Sequence, residues 1–185
     1  MKIACLGWGS LIWRSDGLLI RRVWFTDGPF LPIEYVRQSN DGRLTLVITK
    51  SAKPIRTLWA LMATDDLEIA KQSLKTREAV PNSKFSTSIS SITINEETDD
   101  EIKLIIQEWA KSLKLDAVIW TSLPPKFSEN DNQEPTLEEA ILYINSLDIN
   151  QRTLAEEYIR RTPRQIDTEY RRKFESTFGW IFTEQ

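Results

Sequence analysis

The hydrophobic period of this chain changes once, and that change sets the kind of fold it can adopt. Up to Ala63 the apolar runs are short and strand-like: residues 2–6, then 31–38, 43–50 and 56–63. The first is apolar without alternation, as in a strand covered on both faces. Asn40-Asp41-Gly42 separates the second and third runs, and Asp-Gly between strand-like runs predicts a hairpin because both residues tolerate positive φ. Pro32 falls at the start of its run, where a missing N–H costs the ladder least. After Ala63 the spacing turns helical. Leu67, Ala70 and Leu74 follow the cap candidates Asp65 and Asp66. Ile102, Ile105, Ile106, Trp109 and Leu113 follow Thr98 and its acidic neighbours. Further helices are expected around Leu137–Ile144 and Asn150–Arg161, with a short strand at Ala117–Thr121 stopped by Pro124-Pro125. The Ser/Thr-rich stretch Ser83–Thr93 reads as a strand or a mobile flap, and Lys126–Pro135 as a polar surface loop. Strands followed by helices, without strict alternation, predict an α+β fold with a mixed or antiparallel sheet. The 185 residues suit a single domain over 1–185, large enough to bury a core without disulfide or metal staples.

Composition narrows the chemistry. The chain has no histidine, which excludes a Ser-His-Asp triad, a Cys-His dyad and any His-ligated metal site. Acid–base work falls to a carboxylate, Lys, Tyr or Cys with a tuned pKa. Cys5 is the one cysteine, so no internal disulfide or CxxC site forms; this suits a reducing cytoplasm. The net charge of −3 calls for neither nucleic acid nor an anionic membrane. The apolar start, Ile3 to Trp13, runs straight into Arg14 and Asp16, too short for a membrane span and without the flanks of a signal peptide. At the C-terminal end Arg152, Arg160, Arg161, Arg164, Arg171, Arg172 and Lys173 alternate with Glu156, Glu157, Asp167, Glu169 and Glu175. Such mixing predicts i,i+4 pairs on a solvated helix rather than a phosphate-binding stripe.

The first strand ends in a glycine-punctuated turn, Gly7-Trp8-Gly9-Ser10-Leu11-Ile12. Ile12 stands where a dinucleotide fingerprint needs its third glycine, and no clean amphipathic helix follows, so a Rossmann reading fails. Ser10 lacks the flanking glycines of a nucleophile elbow. Two readings stay open: a tight strand-ending turn, or a loop that directs backbone N–H groups toward an anion or oxyanion.

Gly7-Trp8-Gly9-Ser10-Leu11-Ile12-Trp13 resembles the G-Y-G-S-L signature of the γ-glutamylcyclotransferase-like family, which includes ChaC-type glutathione-degrading enzymes and γ-glutamylamine cyclotransferases. Leu74-Lys75-Thr76-Arg77-Glu78 resembles the segment that brings that family's catalytic glutamate. The likeness covers roughly the first eighty residues, and Trp8 departs from the usual tyrosine. The resemblance implies a barrel-like mixed sheet with flanking helices and a lyase- or transferase-type reaction forming 5-oxoproline from a small γ-glutamyl compound. It implies Glu78 as general base, Gly7, Trp8, Gly9, Ser10 and Leu11 as substrate-binding residues, and no metal or cofactor. A non-catalytic relative that binds a small anionic metabolite or a protein partner is the alternative. From the residues alone, Glu78 reads as a solvated glutamate at a helix end, paired with Arg77. Glu34 is the rival base. It shares a strand face with Val36 and either points inward, where burial raises its pKa, or is an edge-strand charge on a solvated face. The edge reading is the default. Trp120, near the end of its strand, is expected in the core unless it walls a pocket.

Overall fold

A computed structural model describes residues 1–183. The chain folds into two compact units, each assembled from three stretches, so no single cut in the sequence separates them. The first unit takes Met1–Gly7, Arg14–Leu31 and Arg56–Leu123; the second takes Trp8–Trp13, Pro32–Ile55 and Pro124–Gln185.

The first unit is built on β1 (Ile3–Gly7). Its five residues are all buried, as their unbroken apolar run predicts. β1 pairs in parallel with β8 (Ala117–Thr121) and antiparallel with β6 (Leu58–Met62). β2 (Ile20–Phe25) and β7 (Ile89–Thr93) complete a five-stranded sheet in the order β2-β6-β1-β8-β7. The helices α1 (Leu67–Arg77) and α3 (Glu101–Ser112) pack on β7 and β8. Ala70, Leu74, Ile106 and Ala110 supply their buried faces. The Ser/Thr-rich stretch becomes a 3-10 turn (Asn82–Lys84), the short α2 (Phe85–Ser88) and β7, whose ladder runs in register along β8. Trp120 is core, 3% exposed. α3 starts at Asp100, which accepts the Lys103 N–H at 2.9 Å, two residues later than Thr98 suggested. Ile105 is exposed, and Gln107 takes the buried place instead, donating to the carbonyls of Thr93 and Glu96 at 2.9 and 2.8 Å.

The second unit contains β3 (Phe30–Gln38) from Pro32 onward, β4 (Leu44–Ile48), β9 (Lys126–Phe127) and β10 (Asn130–Asp131), in the order β10-β9-β3-β4. β5 (Pro54–Arg56) pairs with β3 off this path. The Asn40-Asp41-Gly42 turn joins β3 to antiparallel β4, with Gly42 at φ +87° donating to the Ser39 carbonyl. Part of the expected surface loop forms the β9–β10 pair, turned by Ser128 and Glu129 at positive φ. The helices are α4 (Leu137–Ser146), opened by a Thr136/Glu139 capping box, α5 (Ile149–Arg161) and α6 (Glu169–Phe178). Arg160–Glu156, Arg161–Glu157 and Arg171–Glu175 form the i,i+4 pairs that the charge pattern predicts. Arg171 is not solvated, however. It is 2% exposed and donates to the carbonyls of Pro163 and Ile166, so one of the basic residues is an internal brace for α6.

The α+β class and mixed strand directions therefore match expectation; the barrel-like sheet is corrected, because the strands form two open sheets and neither closes on itself. No helix among the described residues is long and apolar enough to cross a membrane.

α1 carries Glu78 at its C-terminal end, so its start bears on where that residue sits. Asp66 caps it, accepting the N–H groups of Glu68 and Ile69 at 2.8 and 3.0 Å. Asp66→Ala is expected to cost about 1 kcal/mol and Asp66→Asn only a fraction of that, measured by chemical denaturation.

Candidate functional site

The glutamate matched by the resemblance lies in the first unit. Glu78 is the C-cap of α1, and its N–H donates to the Leu74 carbonyl at 2.9 Å. Ala79 then turns left-handed at φ +51° and donates to Thr76, while Val80 donates to Lys75. This is a Schellman turn with alanine in the place that favours glycine, so the backbone accepts some strain immediately after Glu78.

The Glu78 side chain is 18% exposed. The solvated-glutamate reading is thus corrected, although its partner is the one expected: Arg77 Nη1 donates to Glu78 Oε1 at 2.5 Å. Arg77 is itself held, its Nε donating to the Arg14 carbonyl at 2.8 Å. Burial pushes the Glu78 carboxyl above the usual carboxylate range, and the Arg77 guanidinium pulls it back. On β1, the fully buried Cys5 thiol is pushed up by burial and by the Glu78 charge. It stays a thiol and acts as a small apolar side chain, not a nucleophile.

Gly7 closes β1 in the first unit, opposite Leu58. Trp8, Gly9, Ser10 and Leu11 belong to the second unit. There Trp8 and Leu11 are 4% and 6% exposed, and the Ile12 N–H donates to the Gly9 carbonyl at 3.0 Å. The Trp8 indole N–H donates to the Leu46 carbonyl at 3.1 Å, so the residue that departs from the signature is anchored on β4. A Cβ at Gly9 would land on the Tyr158 hydroxyl, and only glycine admits this approach of α5.

Glu34 also belongs to the second unit. The solvated-edge reading fails because β3 is internal to its sheet and buried from Leu31 to Val36. Glu34 is 5% exposed. Its Oε1 accepts from Thr168 Oγ1 at 2.5 Å and the Tyr35 N–H at 2.9 Å; Oε2 accepts from the Tyr170 N–H at 3.2 Å. Thr168 is the N-cap of α6, so the carboxylate of β3 serves as a second cap for that helix. With both oxygens engaged, Glu34 ties β3 to the start of α6. It borders a groove of about 480 Å³, with Ser51, Glu134, Thr168, Tyr170 and Arg172 among its walls. Glu134 accepts from Thr49 Oγ1 and from Ser51 Oγ. Among the described residues, no group of three His, Cys, Asp or Glu side chains is placed to hold a metal ion.

Sequence reasoning missed the tether from Arg77 to Arg14 and the proximity of Cys5 to Glu78. Cys5 was noticeable only as the lone cysteine, and a side chain bonded to a distant carbonyl leaves no pattern in the chain.

Burial raises the Glu34 carboxyl from its ordinary 4.5 despite the opposing hydrogen bonds. A raised carboxyl lends stability that is fully present below its unfolded pKa and is lost as pH climbs through the folded value. The stability advantage of wild type over Glu34→Gln should therefore shrink between pH 4 and pH 7. Denaturant melts at both pH values check this; an advantage that grows with pH would mean that the donors outweigh burial.

The chain matches no protein-family model, no curated protein and no solved structure.

Proposed function

We propose that the protein is a γ-glutamylcyclotransferase-like enzyme that forms 5-oxoproline from a small γ-glutamyl compound, with Glu78 as the proton carrier. One observation carries the reading. The glutamate singled out by the Leu74–Glu78 likeness is a largely desolvated carboxylate, fixed by a helix-ending turn and charge-paired, rather than a surface side chain. A general base for an ammonium must stay ionised and yet be more basic than a free carboxylate. Burial supplies the second condition and Arg77 the first.

In the reaction the substrate's α-amine nitrogen bonds to its own γ-carbonyl carbon, and the bond from that carbon to the leaving nitrogen breaks. Of the ammonium protons, one stays on the lactam nitrogen and the others end on the leaving amine, so one base must accept a proton and return it. The attack is intramolecular, and much of its entropic cost is already met by the substrate's connectivity. The oxyanion needs fixed N–H donors, the role that the resemblance gives to the Gly7–Leu11 turn. Glutathione, γ-glutamyl amino acids and γ-glutamylamines share the reacting group. Neither metal nor cofactor enters this scheme, and the small γ-glutamyl compound is the only partner it requires.

A second reading rests on Trp8. Its indole is committed to a backbone carbonyl where the signature has a phenol, as expected of a relative that keeps the fold and binds a small anion without turnover.

The test is 5-oxoproline release from a panel of γ-glutamyl compounds. Glu78→Gln is expected to lower it by about 10²–10⁴-fold, with the melting temperature held within a few degrees. A Glu78→Gln variant as active as wild type removes Glu78 from the mechanism. A wild type that releases nothing, yet melts higher with a γ-glutamyl compound present, supports the binding reading.

A further inference from the structure

Two hydrogen bonds of the Arg77 guanidinium have partners that lie far apart in sequence. Its Nε is fixed on the carbonyl of Arg14, the residue that directly follows the glycine-turn segment; its Nη1 holds Oε1 of Glu78. The Arg77 and Glu78 side chains are 10% and 18% exposed, so this pair is not a solvated surface bridge of negligible worth. We propose that Arg77 is the positioning residue of the Glu78 site: its guanidinium, pinned to Arg14, aims the carboxylate, occupies Oε1 and leaves Oε2 to take the proton. The proposal rests on the cyclotransferase reading of Glu78.

The geometry separates two tasks within one side chain. The planar fork fixes direction, because Nε and Nη1 point along set lines from the same plane. The charge keeps a desolvated carboxylate ionised. Within the first unit, few other groups act on Glu78. Cys5 faces it from β1 as a neutral thiol, which leaves Arg77 as the counter-charge. The strands against which α1 packs, β7 (Ile89–Thr93) and β8 (Ala117–Thr121), carry no titratable side chain. On α1 itself, Lys75 is turned to Asn82.

Lysine and glutamine divide the two tasks. Arg77→Lys keeps a charge but cannot reproduce the fork, whereas Arg77→Gln removes both. The first measurement needs no turnover: the Glu78 carboxyl is followed by ¹³C NMR across pH, its resonance identified by its absence in Glu78→Gln. The second is the pH profile of kcat/KM for 5-oxoproline release. Arg77→Gln is expected to move the Glu78 midpoint up by about 1 pH unit or more, and the acid limb of the rate profile with it. Arg77→Lys is expected to return the midpoint close to wild type while the plateau rate stays at least about tenfold low, because direction is not restored. If Arg77→Gln does not fold, the comparison of Arg77→Lys with wild type on the plateau decides the matter.

The proposal is overturned if Arg77→Gln lowers stability and rate but leaves the Glu78 midpoint where it was, the result a purely structural arginine gives. It is overturned equally if Arg77→Lys matches wild type in both measurements. A wild type that shows the Glu78–Arg77 coupling by NMR but releases no 5-oxoproline defeats the cyclotransferase reading instead, so the two failures are distinguishable.

Discussion

A carboxylate drawn most of the way out of water must find a counter-charge or take up a proton; at Glu78 burial pushes the carboxyl up, and Arg77 supplies the counter-charge that opposes it. The rest of the site follows from this pairing. Because the arginine is the residue just before the glutamate, a bridge between them requires the helix to end there. The left-handed Ala79 supplies that ending. Because the arginine also bonds to Arg14, the end of α1 is tied to the chain that leaves the glycine turn. β1 is buried along its whole length and carries Cys5, an inert thiol that feels the Glu78 charge.

Glu34 shows what the same residue type does when donors rather than a cation meet it. It is more deeply buried than Glu78, and both its oxygens accept from neutral groups around the start of α6. That environment makes a tie between strand and helix. Two carboxylates pushed in the same direction by burial thus differ in their partners: Glu78 meets a guanidinium at Oε1, and Glu34 meets neutral donors at both oxygens.

Much of this was legible in the chain. The apolar run of β1, the Asp-Gly hairpin and the helical spacing before Glu78 are local signals, and the elements they mark are present. What the sequence hid was long-range. β2 has three consecutive exposed residues and no alternation, so it carries no strand signature. Glu34 looked like an edge charge because nothing near it in sequence announces Thr168 and Tyr170, its partners more than 130 residues away. Arg171 looked like one of many surface cations because the carbonyls it braces are unmarked by any side chain. At Glu78 the neighbour in sequence is the partner in space, which is why that pairing could be read directly.

The central claim is that a substrate's own amine, and not water, attacks the γ-carbonyl under the control of Glu78. Running the reaction in ¹⁸O-labelled water separates the two most directly. Cyclisation predicts 5-oxoproline free of ¹⁸O, with the amine released in equal amount. Glutamate carrying ¹⁸O in its γ-carboxyl would show hydrolysis and contradict it.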